Sequence, residues 1–561
     1  MCAARSESRL RIAAPRPLSW PGLLTGTVFF ALSLTPSLLP RSALTQGFVS
    51  GLSLAAGYGV GVLGHALWRY LELPAFPPAV RRAVNALVAA ACVLMAAYFL
   101  WRASGWQDSI RALMGMEPSE GTRPLAVGVI AVAVFAVVLL IARAFRLTSV
   151  GVSRLLARYV PQRVSVLVGA LVAAIAFWSI IDGVLLGFVL RVVDGSFQQV
   201  DALLEPERAQ PRDPLRSGSP ESLIEWEDLG RAGREFMADG PTRDDLREFF
   251  GDEDVSAPIR VYVGLNSAET VAERSRLALA ELDRTGAFER SVLVIVTPTG
   301  TGWVDPGSIS TLEYLHRGDV ASVTVQYSYL ASAFALLLEP EHGAETARAL
   351  FADVYGRWTR MPRDRRPALY LHGLSLGALH SDASFDIYDV VGDVFHGALW
   401  TGPPFRSETW RSATERRAAD SPAWLPRFRD GTIIRFTNQE NRLDLPGVPW
   451  GPLRIAFLQY ASDPITFFEP SMLYREPEWM AHPRGPDVTD ELRWIPIVTM
   501  LQVVADMRAG DLTPHGYGHN IAPQDYIDSW LALTEPVRWR KHDTLRLKQR
   551  FAAGERRPPG D

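Results

Sequence analysis

The sequence predicts an α-helical transmembrane region followed by a soluble α/β domain, in which a mostly parallel sheet is covered by helices on both faces. Residues 1–195 of the 561 are almost continuous apolar runs with few acidic residues, whereas residues 200–561 alternate charged and apolar segments. Strand-like and helix-like segments alternate in the second part, which is typical of parallel strands joined by crossover helices. The length alone favours two or more domains.

The composition excludes several kinds of partner. The formal net charge is -4 and no basic face is visible, so we expect no nucleic acid partner. The two cysteines, Cys2 and Cys92, are too few for a cysteine metal cluster or a disulfide framework. No group of acidic residues, histidines or cysteines has metal-ligand spacing, so we expect no metal and no cofactor. The sequence leaves the oligomeric state open.

Five apolar stretches are long enough to cross a membrane, which takes about 20 helical residues. They cover residues 18–39, 43–67, 84–101, 125–144 and 164–189. Arginines precede the first stretch, as in a signal peptide, but four further stretches behind it favour a multi-span anchor. We therefore expect a cytoplasmic N-terminus (1–17), a transmembrane region of about five helices (18–195), a linker (196–254), a soluble catalytic domain (255–545) and a disordered tail (546–561).

The arginines predict the orientation, because positively charged loops stay on the cytoplasmic side. The N-terminus and the second and fourth loops are rich in arginine: Arg5, Arg9, Arg11, Arg16, Arg69, Arg81, Arg82, Arg143, Arg146, Arg154, Arg158 and Arg163. The first and third loops are poorer and contain Arg41, Arg102, Arg111 and Arg123. With five spans, the soluble domain faces away from the cytoplasm, and one span more or fewer would reverse this.

Two ionisable residues, His65 and Asp182, fall within the apolar stretches. They could form a relay or a substrate path, or they could be structural groups at an interface and between helices. The second interpretation is favoured because polar groups are sparse in these stretches. Glycines of the second stretch predict close helix packing, and they are Gly57, Gly59, Gly61 and Gly64.

The linker is rich in Pro, Arg, Asp and Glu, and is predicted to be a tether with one short helix at 223–237. Strands are predicted at 259–265, 290–302, 320–329, 368–373, 397–404, 431–439 and 453–465. Helices are predicted at 268–286, 343–360, 492–507 and 524–533. The order predicted throughout is strand, helix, strand.

Ser375 is the candidate nucleophile. It lies in the stretch Gly373-Leu374-Ser375-Leu376-Gly377, after a predicted buried strand and before small helix-forming residues. In a G-x-S-x-G elbow the glycines leave room for a sharp, strained turn that exposes the serine hydroxyl. The five-residue pattern alone is weak, because it arises by chance in glycine-rich chains. The strand-turn-helix context supplies the further support.

A carboxylate and a histidine downstream complete the pattern. Asp463 follows the strand-like run LRIAFLQY and is suited to orient an imidazole, although Asp before Pro is also a common turn. Where the order is Ser, Asp, His, the base lies beyond the aspartate and before a final helix. The loop PHGYGHN fits this position. We favour His519, which follows the flexible Gly518 directly before the last helix, and keep His515 as the alternative.

An oxyanion hole is predicted from backbone N–H groups near Ser375. One is that of Leu376, and the other comes from Thr301 or Gly302 in the loop TPTGTGW. This loop lacks the Gly-Lys-Ser/Thr ending of a phosphate-binding P-loop. His372 is interpreted as a buried structural histidine or as a residue that supports the site.

The chain resembles a family of bacterial membrane-anchored α/β-hydrolases that fuse a multi-span N-terminal region to a C-terminal hydrolase domain. The resemblance rests on the apolar first third and on VTPTGTGWVDP, HGLSLGA, ASDPI and HGYGH. It implies a serine hydrolase fold with a Ser375, Asp463, His519 triad, and no settled substrate.

The leading hypothesis is an esterase or lipase in a bacterial cell membrane, with membrane lipids as partners and a lipid or cell-envelope acyl ester as substrate. An acyltransferase with the same acyl-enzyme and a catalytically silent binding domain are the alternatives. Downstream aromatic residues either cover an acyl pocket or form ordinary core, and they are Trp400, Phe405, Trp410, Trp424, Trp450 and Trp479.

Overall fold

The computed structural model describes residues 18–74, 77–119, 124–179, 208–330 and 341–554. The predicted cytoplasmic N-terminus lies outside the described residues, as do Asp182 and the end of the fifth apolar stretch.

In the described residues, the N-terminal region contains five helices: α1 (Trp20–Ser33), α2 (Ala43–Tyr70), α3 (Pro78–Leu113), α4 (Pro124–Leu156) and α5 (Gln162–Ser179). Helices α2 to α5 are long and apolar enough to cross a membrane. Helix α1 has 14 residues and is shorter than a span of about 20 residues. Pro36 follows it closely, and proline cannot continue a helix. Of the five predicted spans, four are therefore present as full-length helices in the described part of the chain.

Close approach of α1 and α2 accounts for two of the four glycines in the second stretch. A Cβ atom on Gly57 would lie 2.6 Å from the Thr25 carbonyl oxygen, and one on Gly61 would lie 2.2 Å from Thr25 Oγ1. Gly59 and Gly64 have no such neighbour within 4 Å. The predicted packing role therefore holds for Gly57 and Gly61, which face α1.

The strands in the described part of the C-terminal domain form one all-parallel sheet, as the alternating pattern predicts. Its strands are β1 (Ile259–Val263), β2 (Val292–Thr297), β3 (Val320–Val325), β4 (Ala368–Leu374), β5 (Gly397–Thr401), β6 (Ile434–Thr437) and β7 (Arg454–Leu458). Their order across the sheet is β1-β3-β2-β4-β5-β7-β6. The strands are buried almost throughout, which explains why apolar and β-branched residues predominate in them. Six of them lie within the predicted segments, and β4 extends one residue beyond its segment, to Leu374.

Helices cover the sheet in two layers. They are α6 (Gly230–Ala238), α7 (Arg243–Phe250), α8 (Val271–Thr285), α9 (Pro306–Leu315), α10 (His342–Thr359), α11 (Leu376–Asp382), α12 (Ile387–Val390), α13 (Glu408–Glu415), α14 (Val498–Asp506), α15 (Pro523–Thr534) and α16 (Lys541–Gly554). Helices α8 and α10 pack on each other, and α9 packs on α15. The strict strand-helix-strand order fails between β6 and β7, where the described residues 438–453 contain no helix.

Residues 208–254 differ from the predicted tether because they pack against the edge of the sheet. The Ser217 N–H donates to the Arg260 carbonyl at 3.1 Å, and the Arg260 N–H donates to the Leu215 carbonyl at 3.1 Å, so this segment covers the edge of β1. Arg216 is buried and donates to the carbonyls of Gly240 and Pro241. The charged composition indicated a solvated linker, but the charge of Arg216 is used in buried hydrogen bonds.

The predicted disordered tail is also wrong for its first part. Residues 541–554 form α16, with Leu547 fully buried and Phe551 packed on Tyr314 at the domain surface. An amphipathic face therefore anchors this segment, and residues 555–561 lie outside the described part.

Candidate active site

Ser375 forms the sharp turn between β4 and α11. Its backbone has φ 57° and ψ −123°, a conformation that non-glycine residues rarely adopt. The Ser375 N–H donates to the Thr401 carbonyl at 3.0 Å, which fixes the turn to the end of β5. A Cβ on Gly373 would lie 2.3 Å from the Gly377 carbonyl carbon, and one on Gly377 would lie 2.2 Å from the Thr297 oxygen. Both glycines are therefore required by close backbone contacts, as expected of an elbow.

Asp463 follows β7 and is held by its own turn. Its Oδ1 accepts the N–H groups of Ile465 at 2.8 Å and Thr466 at 3.3 Å. Its Oδ2 accepts the Thr466 hydroxyl at 3.0 Å and His519 Nδ1 at 2.8 Å. The Asp463 side chain is fully buried and that of His519 nearly so. The predicted turn at Asp463 is therefore present, and it aims the carboxylate at the imidazole of His519.

This hydrogen bond sets the tautomer of His519. A carboxylate only accepts, so Nδ1 carries the hydrogen and the lone pair of the neutral ring is on Nε2. A ring in this state can take a proton at Nε2 while the carboxylate stabilises the resulting charge.

Gly402 connects the histidine to the nucleophile. It directly follows Thr401, whose carbonyl accepts the Ser375 N–H. Its own N–H donates to the Leu458 carbonyl at 2.9 Å, and its φ is +49°. A Cβ at this position would lie 2.6 Å from His519 Cε1 and 3.1 Å from Asp463 Oδ2. The imidazole therefore lies directly on the end of β5, one residue beyond the contact with Ser375.

Two further contacts fix the backbone of the histidine loop. The Gly518 N–H donates to Ser462 Oγ at 2.9 Å, and Ser462 Oγ donates to Asp487 at 2.6 Å. The His519 N–H donates to the Gly510 carbonyl at 3.2 Å. Gly518 has φ 59°, so its glycine identity is needed for the bend that the sequence predicted.

The alternative base, His515, lies elsewhere in the loop. Its Nδ1 is 3.2 Å from the Ile521 carbonyl, and the residue is exposed. The described structure pairs Asp463 with His519, not with His515.

The residues predicted to form an oxyanion hole lie in two segments, the start of α11 and the loop after β2. Leu376 begins α11, where the first N–H groups have no acceptor within the helix. The loop after β2 lies against the elbow, because a Cβ on Gly377 would also meet the Pro298 oxygen at 3.0 Å. Gly302 is not a suitable donor, since its N–H donates to the Thr299 carbonyl at 2.9 Å within a tight turn. Thr301, which is half-buried in the same turn, remains the candidate from this loop.

Two buried titratable residues near the sheet have structural roles. The Nδ1 atom of His372 lies 2.8 Å from the Leu399 carbonyl, and burial lowers the pKa of this ring to about 4. Asp305 caps α9 through the Gly307 N–H at 2.8 Å and accepts the Tyr526 hydroxyl at 3.1 Å. Burial raises the pKa of the Asp305 carboxyl to about 6, against the smaller effect of these hydrogen bonds.

The sequence did not identify the residues that support the histidine and the aspartate. Thr466 could have been found, because a hydroxyl three residues after an aspartate often closes a turn. Gly402, Ser462 and Asp487 contact the site across separate strands and loops, and no local pattern marks them. The catalytic roles of Ser375, Asp463 and His519 stay predictions.

Comparison with protein families agrees with this architecture. The model described as "Alpha/beta-hydrolase family" matches residues 259–547, and that described as "Alpha/beta-hydrolase family N-terminus" matches residues 34–241. Comparisons with curated proteins and with solved structures give no significant match. The first match covers more than half of the chain, and it spans the seven parallel strands, the elbow and the histidine loop. The chain therefore belongs to the alpha/beta-hydrolase family, with the N-terminal region characteristic of this group.

Proposed function

We propose that the protein is a membrane-anchored serine hydrolase of the esterase or lipase type, which cleaves a carboxylic ester of a lipid or of the cell envelope. The observation that supports this most is the buried 2.8 Å hydrogen bond between His519 Nδ1 and Asp463 Oδ2, beside the strand end that holds the Ser375 elbow.

The proposed reaction begins with attack of Ser375 Oγ on the ester carbonyl. His519 Nε2 takes the hydroxyl proton and then gives it to the leaving alcohol, while Asp463 stabilises the imidazolium. Water, deprotonated by the same histidine, then releases the acid from the acyl-enzyme. The Leu376 N–H and an N–H of the Thr301 turn would stabilise the oxyanion, a contribution of about 3 kcal/mol for each donor.

An apolar wall beside the site favours an acyl substrate. Phe405 lies three residues beyond Gly402, and Phe468 lies two residues beyond Thr466. Their rings are in edge-to-face contact at 5.2 Å, and both are only partly buried. The tryptophans Trp400, Trp410 and Trp479 are buried and belong to the core of the domain. The phenylalanine pair is therefore the better candidate to contact an acyl chain.

The arginine distribution supports an extracytoplasmic catalytic domain. Gln502 donates to the Ser33 carbonyl, and Ile110 and Met114 belong to the core of the hydrolase domain, so the α1–α2 loop and the end of α3 lie on the hydrolase side. Described arginines on that side are Arg41, Arg102 and Arg111. The far ends of the helices contain Arg69, Arg81, Arg82, Arg143, Arg146, Arg154, Arg158 and Arg163. By the positive-inside rule, the arginine-rich ends face the cytoplasm and the hydrolase domain faces outward. This comparison of the two ends of the helices does not depend on α1 being a full-length span.

A fluorophosphonate probe tests the proposal, because it reacts readily with an activated serine and not with an ordinary one. We expect wild-type protein in membranes to be labelled and the Ser375→Ala variant to be unlabelled. Correctly folded wild type that fails to react would contradict the proposal and favour a catalytically silent binding domain. Product analysis with an added alcohol acceptor then separates hydrolysis from acyl transfer, since a transferase yields the new ester.

A further inference from the structure

A buried ion pair joins the N-terminal helices α1 to α5, here called the membrane region, to the hydrolase domain. Arg41, in the loop between α1 and α2, donates from Nε to Asp506 Oδ1 at 2.6 Å and from Nη2 to Oδ2 at 3.3 Å. Both side chains are fully buried. Asp506 is the last residue of α14, so a carboxylate of the hydrolase domain is neutralised by a cation of the membrane region.

Neighbouring groups of the α1–α2 loop complete this junction. The Asp506 carboxylate also accepts the Ser37 hydroxyl and the Leu38 N–H, the latter at 3.2 Å. One turn earlier on α14, Gln502 Nε2 donates to the carbonyls of Ser33 at 3.1 Å and Thr35 at 3.0 Å. The end of α1 and the following loop thus hold α14 through several directed contacts, not through apolar packing alone.

The polypeptide that leaves this junction leads directly to the candidate catalytic histidine. A short 3-10 helix, Met507–Leu512, continues from α14. The Gly510 carbonyl within it accepts the His519 N–H at 3.2 Å and the Thr513 hydroxyl at 2.9 Å. A Cβ on Gly510 would lie 3.0 Å from His519 Cβ, so the two backbones touch.

We propose that Arg41 and Asp506 are positioning residues for His519, so that the membrane region is part of the active-site framework as well as an anchor. The inference rests on the proposed function, in which His519 is the base. Asp463 and Ser462 hold the histidine loop from the sheet side, and the Gly510 segment holds it from the membrane side. If Asp506 loses its partner, the 3-10 helix loses its fixed starting point and the loop can drift away from the elbow.

The chain offers a matched control in a second buried ion pair. Arg260 and Glu313 are also fully buried and lie 2.7 Å apart, but they join β1 to α9 at the opposite side of the sheet from β7. Breaking either pair leaves an uncompensated buried charge and lowers stability. Only the Arg41–Asp506 pair is predicted to affect the histidine loop.

The test uses full-length protein in lipid nanodiscs, with Asp506→Asn, Arg41→Gln and Glu313→Gln compared with wild type. Hydrogen exchange of the amides of residues 513–520 measures how firmly the histidine loop is held. The rate of fluorophosphonate labelling measures the reactivity of Ser375. Asp506→Asn retains a side-chain oxygen that can accept from Ser37 and Leu38, so this variant is expected to fold. It keeps the test possible if Arg41→Gln does not fold.

We expect Asp506→Asn to exchange faster at the Gly518 and His519 amides and to lower the labelling rate about tenfold or more, because small displacements of a catalytic group are costly. Glu313→Gln should lose stability while both readings stay at wild-type values. Unchanged exchange of the loop in folded Asp506→Asn would overturn the inference, as would equal changes in Glu313→Gln. If wild type is not labelled at all, the proposed function fails, and the exchange comparison still decides whether the pair fixes this loop.

Discussion

Replacement of Gly402 by alanine tests how tightly the end of β5 fits the His519–Asp463 pair. The added methyl group would lie 2.6 Å from His519 Cε1 and 2.9 Å from Nδ1. Carbon atoms in contact are ordinarily about 3.5–4.0 Å apart, so the ring or the strand end must move by about 1 Å. A displacement of that size at a catalytic group is expected to lower the rate about 100-fold.

The same substitution also has a backbone cost that must be separated from this effect. Gly402 has φ +49°, and an alanine in this left-handed region costs about 1–2 kcal/mol of stability. Gly447 has φ +76° and no neighbouring atom within 4 Å of its Cβ position, so Gly447→Ala carries the strain without the clash.

The assay is the rate of fluorophosphonate labelling of Ser375 in folded, full-length protein, together with thermal unfolding. We expect both variants to lose about 1–2 kcal/mol of stability from the backbone strain, and Gly402→Ala to lose more because of the clash. Only Gly402→Ala should also lose the labelling rate. Labelling of folded Gly402→Ala at the wild-type rate would refute the argument that His519 activates Ser375 from this position.

Three further predictions follow from the same geometry. His519→Gln should lower Ser375 labelling about 100-fold or more, whereas His515→Gln should label like wild type. Asp305→Asn should remove a pH dependence of stability, because burial raises the pKa of this carboxyl from its ordinary value of 3.8 to about 6 in the folded protein. The protonated carboxyl stabilises the fold fully below pH 3.8, and this contribution is lost as the pH rises through 6. The wild-type free energy of unfolding should then fall by about 3 kcal/mol relative to Asp305→Asn across this range, as measured by chemical denaturation at each pH. Gly57→Ala should lower the midpoint of thermal unfolding in detergent, because its Cβ would lie 2.6 Å from a backbone oxygen of α1. Gly59→Ala should leave the midpoint unchanged, since its Cβ meets nothing within 4 Å. Equal midpoints for the two variants would contradict the packing of α1 on α2.

The strands and the elbow could be predicted because their signals are local. Buried parallel strands are rich in apolar and β-branched residues, as in VLVIVT of β2 and ALYLHGL of β4. The elbow needs small residues on both sides of Ser375, and the close contacts of Gly373 and Gly377 show why. The order of Ser375, Asp463 and His519 along the chain then restricted the search for the base to one loop.

Long-range contacts explain what the sequence did not reveal. The segment 208–254 was predicted to be a tether from its charges, but Arg216 is buried against backbone carbonyls and its neighbours cover β1. Composition cannot distinguish a solvated arginine from one that is buried with partners. Gly402 and Gly510 contact His519 from distant parts of the chain, so their importance appears only in the folded protein.

The connection between the membrane region and the site was hidden for the same reason. Arg41 appeared in the sequence only as one positive charge in a short loop, and Asp506 only as the end of a helical segment. Their 2.6 Å ion pair joins residues 465 positions apart. No periodicity or motif predicts such a pairing.

Peptide mapping of the covalent adduct is the most direct test of a serine hydrolase built on this elbow. Full-length protein in nanodiscs is treated with the fluorophosphonate, digested and analysed by mass spectrometry. We predict one modified site, Ser375 Oγ, in wild type, and no adduct in Ser375→Ala. Folded wild type without an adduct at Ser375, or a Ser375→Ala variant that is still labelled, would contradict the account.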